Sequence, residues 1–334
     1  MAVVDRALAA GPDGFERELV IKRIRPRFSS DPRFAAMFVD EARIVSQLNH
    51  PNIVHVYEFG KVDDQYFIAM EHVPGVDLAR LRADLKAAGQ RFPIPLAMFI
   101  VIEVCRALDY AHRKRGPEGR ALDIVHRDVS PQNVLISFEG AVKLADFGIA
   151  RAAERREKTL DGLVKGKVAY MSPEQLRGDV LDGRSDVYSA ALILHVLLAG
   201  RHPYADPNET RTIEAALAHS WPSIRSTAPD VSQALDDIVT RGTALDRKNR
   251  YATAAELAEA LEQRLFDERL RATAGELAAL MQARYGGEGA QGGEIGDEGR
   301  TLDLDGVFSS EIRRIAGDED GVPTFTLATP EAEE

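Results

Sequence analysis

An α+β fold in two lobes, a small antiparallel β lobe carrying one helix and a larger helical lobe, is predicted by three features of the sequence. Up to Val73 the apolar residues recur mainly at strand period around one helical stretch. From Pro74 they recur at helical period almost to Tyr285, where a Gly-rich, acidic stretch breaks the pattern. With 334 residues, 45% hydrophobic and 28% charged, the chain has the apolar content for large cores.

The elements follow in chain order. "ELVIKRI" is apolar and β-branched and reads as a strand. "DPRFAAMFVDEARIVSQL" has helical period behind an Asp-Pro start, and the fixed φ of proline suits a first helical turn. "HVYEFG" and "YFIAMEHV" read as a hairpin. Beyond Pro74 helices are predicted over 77–88, 95–114, 184–199, 208–219, 231–241 and 253–284, the last as two. The stretch "GGEGAQGGEIGDEG" has too little apolar surface to offset chain entropy, so a flexible linker is expected there. The end, "VFSSEIRRIAGDEDGVPTFTLATPEAEE", holds two short apolar patches amid acid. No internal repeat is present.

Composition excludes several classes. The longest apolar stretches, "PLAMFIVIEV" and "SAALILHVLLAG", fall short of the roughly 18 residues of a membrane span, and no basic segment followed by an apolar run opens the chain. A lone cysteine, Cys105 in "LAMFIVIEVCRALDYAH", is expected to pack as a small hydrophobe, which fits a reducing, cytoplasmic compartment. Net charge is -11, and from Gly286 onward 13 acidic residues stand against 3 basic ones, so the acidity belongs to the tail. No basic surface for nucleic acid is indicated. His50 in "LNHPNIV" is read as fixing a helix-to-strand turn, and "RKRGPEGR" over 113–120 as a solvated loop.

The chemistry sits in "IVHRDVSPQNVLI" and "VKLADFGIA". An Asp and an Asn five residues apart on a loop, then Asp-Phe-Gly after a short strand, supply what phosphoryl transfer needs. One carboxylate orients the attacking hydroxyl, while the amide and the second carboxylate hold Mg²⁺ against ATP phosphates. Here the sequence resembles the eukaryotic-like serine/threonine protein kinases of bacteria, from about residue 1 to about residue 265. The resemblance implies a small lobe over 1–73, a large lobe over 74–266, a helical extension over 267–285 and an acidic flexible tail over 286–334.

Residue by residue, the resemblance makes Asp128 the catalytic-loop base, Asn133 a metal ligand and Asp146 the principal Mg²⁺ ligand, with Phe147 and Gly148 completing that motif. His126 would support the loop from beneath. Lys22 in "ELVIKRI" would contact the α- and β-phosphates and Glu41 in "FVDEARIV" would pair with it, because a flexible ammonium must be held to act on a phosphate. Met70 would be the gatekeeper, the backbone of Glu71 and Val73 would meet adenine, and Asp77 would lie near the ribose. Glu174 in "YMSPEQ" would pair with Arg250, and Asp186 in "RSDVYSAALIL" would anchor the catalytic loop. Small-molecule kinases lack this segment and its Arg, so a protein substrate is implied, with autophosphorylation as one outcome; the tail hydroxyls of Thr324, Thr326 and Thr329 are candidates either for that or for a partner-docking strip.

Three departures from the family pattern shape the expectations. Met1-Ala2-Val3-Val4 aligns with the last four positions of the family's G-x-G-x-x-G-x-V loop, with Val4 over adenine. The first strand and two glycines are missing, which implies an upstream start with Met1 an internal methionine. Ser130 stands where these kinases usually carry a Lys, and Lys167 where they usually carry a Thr. A swap is expected, in which Lys167 supplies the positive charge and Ser130 the hydroxyl. Arg127 beside the catalytic Asp implies control by a phosphorylated activation segment, and Thr159 is the candidate phosphosite. The rival from another class is a pseudokinase that binds a partner without catalysis.

Overall fold

The computed structural model describes residues 2–10, 16–24, 32–62, 65–147, 168–204, 206–218, 222–286 and 325–327. Strand β1 (Ala2–Ala10) runs antiparallel to β2 (Glu16–Ile24) in unbroken register, from Ala2 opposite Ile24 to Ala10 opposite Glu16. The residues aligned with the end of the Gly-rich loop therefore lie within a strand, with Val4 directly opposite Lys22. After helix α1 (Pro32–Val45), β3 (Val56–Val62) and β4 (Gln65–Glu71) form the expected hairpin, and β4 pairs with β2.

The period of two explains how β2 serves two cores. Leu19 and Ile21 join Ala7, Phe67 and Ala69 in one apolar cluster. Ile24 joins Phe38 and Ala42 of α1, with Val56 and Ile68, in the other. Phe38 and Ala42 are four apart, so α1 lays one stripe on the sheet. The segment Phe325–Leu327, not expected as a strand, pairs antiparallel with β1, giving sheet order β3-β4-β2-β1 followed by this segment.

These elements make one compact unit, comprising Met1–Asn49, Val54–Val73 and Gln291–Glu334. The second unit holds His50–Ile53 and Pro74–Ala290. It opens with β5 (Gly75–Asp77), which pairs with β6 (Val134–Ser137), itself paired with β7 (Val142–Leu144). Asp77 caps helix α2 (Leu78–Ala87) by accepting from the Arg80 N–H at 2.9 Å. Helix α3 (Ile94–His112) is buried along most of its length, Cys105 included, and burial pushes that thiol's pKa up. The short α4 (Pro173–Arg177) begins with a reciprocal cap between Ser172 and Gln175. Helix α5 (Arg184–Ala199) is buried from Ser185 to Leu198, the signature of a helix surrounded by others. Against it pack α3, α7 (Gln233–Gly242) and α8 (Ala254–Asp267), and the unit also holds α6 (Glu209–Ala218) and α9 (Ala274–Tyr285).

The two-lobed α+β class is the one expected from sequence. His50 does work at its turn: its Nδ1 accepts from the Asn52 N–H at 3.2 Å and its ring stacks on Tyr110 at 5.0 Å. Among the described residues no helix is long and apolar enough to cross a membrane. Because α5 is enclosed on all sides, Leu192→Ala should leave a cavity that cannot collapse. A loss of about 2–5 kcal/mol is expected, read as a lowered urea midpoint by circular dichroism.

Candidate active site

In the first unit, the period of β2 sets Lys22 on the face that carries Ile24 and meets α1. Glu41 lies three residues after Phe38, at the edge of the α1 stripe. The consequence is an ion pair, Lys22 Nζ to Glu41 Oε1 at 2.8 Å, with both side chains about nine-tenths buried. On the neighbouring strand, Asp5 accepts from Arg23 Nε at 3.0 Å. Met70 lies opposite Val20 and packs against the α1 core, while the Glu71 N–H donates to the His55 carbonyl at 2.8 Å. Val73 is the last residue of the unit's Val54–Val73 segment.

In the second unit the loop between α3 and β6 is organised from below by the Asp186 carboxylate. It accepts the His126 N–H at 2.8 Å, the Arg127 N–H at 2.9 Å and a hydrogen bond from His112 Nε2 at 2.8 Å. Burial works to raise the Asp186 pKa, but His112, His126 and these donors outweigh it and hold the carboxyl below its ordinary range. The His126 ring is fully buried, which depresses its pKa and keeps it neutral. Its Nδ1 accepts the Asp128 N–H at 3.2 Å, so Nε2 is the protonated nitrogen and donates to the Ala145 carbonyl at 3.1 Å. One imidazole thereby links the Asp128 loop to the residue before Asp146.

Arg127 and Asp146 both have left-handed backbone, with φ of 66° and 55°. Such positions cost about 1–3 kcal/mol each and persist only where surroundings over-determine them. For Arg127 the surroundings are visible: Asp186 holds its N–H, and Gln175 Nε2 donates to its carbonyl at 2.8 Å. This backbone turn sets Asp128, whose carbonyl and Oδ2 accept from Asn133 Nδ2 at 2.7 and 2.9 Å. With its nitrogen committed there, the amide oxygen of Asn133 is the end a cation would take. The Ala145 N–H donates to the Asn133 carbonyl at 2.8 Å, closing the hairpin end next to Asp146. Phe147 is buried and packs on His126, ring centroids 4.4 Å apart.

Glu174 and Arg250 form a buried bidentate pair at 2.6 and 2.8 Å. Every N–H of that guanidinium has an acceptor, because Nε reaches Ala244 O, Nη1 also reaches Arg184 O and Nη2 also reaches Leu245 O. Burial acts to raise the Glu174 pKa, but Arg250 and the Ser185 hydroxyl at 2.7 Å outweigh it and hold it low. Sequence reasoning passed over His112, Gln175 and Ser185. The signal available for each was a polar side chain beside a motif residue or at a helix end. Ser130 is buried, and its hydroxyl has no hydrogen-bond partner among the described residues. Gly148, Thr159 and Lys167 lie outside the described residues.

The order and geometry of these groups are those of a protein kinase. A protein kinase domain family model matches residues 13–266, and the chain belongs to that family. It is 37% identical over 291 residues to the tyrosine-protein kinase MasK of Myxococcus xanthus, an alignment covering 86% of this chain and 45% of that protein. It is 36% identical over 242 residues to the serine/threonine-protein kinase PrkC of Bacillus subtilis, covering 72% of this chain and 36% of that one. Among solved structures it is similar to the Mycobacterium tuberculosis PknI kinase domain, with TM-score 0.56, 29% identity, and coverage of 75% of this chain and 87% of that one. The chain thus spans less than half the length of these curated relatives.

The buried histidines set the acid stability. Burial depresses His126, and lowers His195 to about 4 and His202 to about 3, against 6.5 for an ordinary imidazole. Depressed groups contribute stability that is complete above the unfolded pKa and lost as pH falls through the folded value. Stability should therefore decline from about pH 6.5 downward, with Asp186 and Glu174 adding to the loss below about pH 4. Urea unfolding measured from pH 7 to pH 4 checks this, and His195→Gln should make the slope shallower.

Proposed function

We propose that the chain is an ATP-dependent protein kinase that transfers the γ-phosphate to a Ser or Thr hydroxyl of a protein, its own chain included. The observation that carries the reading is the catalytic loop, where Asp128 is buried at its base and bonded to the Asn133 amide, with Asp146 held one residue beyond the hairpin bond. The formed Lys22–Glu41 pair supports a catalytic chain over a non-catalytic scaffold. The serine/threonine names of several relatives support that hydroxyl class.

Asp128 would accept a hydrogen bond from the substrate hydroxyl and orient its oxygen toward the γ-phosphorus, taking the proton as the new P–O bond forms and the bond from the γ-phosphorus to the β,γ-bridging oxygen breaks, with ADP as the leaving group. Asn133 and Asp146 offer oxygen donors, which suit Mg²⁺. Among the described residues no group of three or more His, Cys, Asp or Glu could hold a metal. Mg²⁺ needs no such cage, because it takes one or two carboxylates plus phosphates and waters. The bound Mg²⁺–ATP supplies the transferable phosphoryl group and the charge that offsets its developing negative oxygens. Lys22, fixed by Glu41, would sit on the α- and β-phosphates, Val4, Met70 and the backbone of Glu71 and Val73 would take adenine, and Asp77 the ribose.

Ser130 and Lys167 make up the proposed swap; the unpartnered buried hydroxyl of Ser130 suits a site whose second member lies outside the described residues. The Arg127 Nε is also buried without a partner among the described residues, which suits capture of phosphorylated Thr159. A cytoplasmic site of action fits the lone buried Cys105.

The test is transfer of labelled γ-phosphate from Mg²⁺–ATP to the chain itself and to a basic protein, with phosphoamino-acid analysis of the product. Lys22→Met and Asp146→Asn should each lower transfer by about 10²-fold or more. Lys167→Ala should lower it as well, and phosphotyrosine as the sole product would overturn the hydroxyl class. Label that survives both Lys22→Met and Asp146→Asn would overturn the assigned site.

A further inference from the structure

We infer that helix α9 is a brace that positions Asn133 and Asp146 by gripping the far end of the β6–β7 hairpin. The inference rests on the kinase reading for its consequence in turnover, though not for its geometry. Asn133 immediately precedes β6 and Asp146 follows β7 by two residues, so both candidate ligands stand at the open end of the hairpin. The strands are short, four residues in β6 and three in β7. A two-stranded ribbon of that length does not hold its own geometry in water. Its partner on one side is β5, with Gly75 opposite Ser137 and Asp77 opposite Leu135.

The closed end of the hairpin is covered by α9. Gly140 in the turn has φ of 82°, and a Cβ there would lie 1.9 Å from the Ala274 carbonyl oxygen and 2.9 Å from the Ala278 nitrogen. Only glycine meets both requirements, left-handed backbone and direct contact with another main chain. Helical spacing then sets Leu277 and Met281, both fully buried, along one stripe with Ala274, Ala278 and Tyr285. The Tyr285 ring meets Phe138 of the turn edge-on, centroids 6.1 Å apart. Its hydroxyl donates to Asp84 Oδ2 of α2 at 2.7 Å. Burial, then Asp84, push the Tyr285 pKa up, so the phenol stays a donor.

Asp84 sits on the helix that Asp77 caps, and Asp77 belongs to the strand paired with β6. Helix α9 therefore holds the hairpin at two places, directly at Gly140 and Phe138 and through α2 and β5 from the side. The helix lies beyond residue 266, outside the family match. Gly140 and Tyr285 are not among the groups proposed to handle phosphate and are connected to them only through the hairpin, so they are positioning residues.

The full chain carrying Tyr285→Phe, and separately Gly140→Ala, tests this by amide hydrogen exchange and by the Mg²⁺ dependence of phosphate transfer. Loss of a hydroxyl–carboxylate bond should speed exchange of the Ala145 and Leu144 amides roughly tenfold in Tyr285→Phe, with the amides of α5 unchanged. The Mg²⁺ concentration for half-maximal transfer should rise severalfold, with a smaller change in maximal rate. Unchanged Ala145 and Leu144 exchange in Tyr285→Phe, or equal acceleration throughout α5, would overturn the brace. The exchange measurement needs no activity, so a chain that transfers no phosphate would overturn the kinase reading alone.

Discussion

The Asp186 carboxylate is the constraint on which the second unit's chemistry depends. A buried anion is tolerated only where donors replace water, and here two consecutive backbone N–H groups and an imidazole do so. The exchange is mutual. His126 and Arg127 gain an acceptor for N–H groups that a loop cannot satisfy itself, and the unusual φ of Arg127 is held in return. From that point order passes outward, through the His126 tautomer to Asp128 and Ala145, and through Ala145 to Asn133. Each step is one hydrogen bond with a fixed donor, which is why a loop without regular structure can hold side chains to a defined position.

The first unit solves a simpler problem by periodicity. A strand that buries both faces leaves a lysine only where a helix offers it an anion, and α1 offers Glu41 from the edge of its apolar stripe. The pair is nearly buried, so it is screened little by salt, and its geometry follows from the packing of Phe38 and Ala42. An ammonium on a four-carbon stem is thereby held in one position.

The site was largely legible because its chemistry-bearing residues lie in contiguous stretches with fixed internal spacing. The elements were legible where the period was long and uniform, as in α5, whose expected range 184–199 is the observed one. What stayed hidden were contacts across large sequence separations outside the quoted motifs. His112 reaches Asp186 across 74 positions, and Tyr285 reaches Asp84 across 201, and no local pattern marks either partner. Gln175 takes part in the cap of α4, and its hold on the Arg127 carbonyl depends on how α4 lies against the loop, which no local pattern shows. The strand at Phe325–Leu327 has only three residues in an acidic context, too few for period two to register. The full length of β1 was likewise unread, because Ala7 to Ala10 carry little of the β-branched character that marks β2.

The seat of α9 on Gly140 bears on where this folded unit ends. The family match stops at residue 266, one residue short of the end of α8, and a fragment trimmed there would retain every motif residue of the site. It would also lose the helix that contributes Leu277 and Met281 to the interior, and leave an apolar seat around Phe138 open to water. Such a surface invites self-association during production, so insolubility of the trimmed fragment would report on a cut through a packed layer and carry no information about the proposed activity.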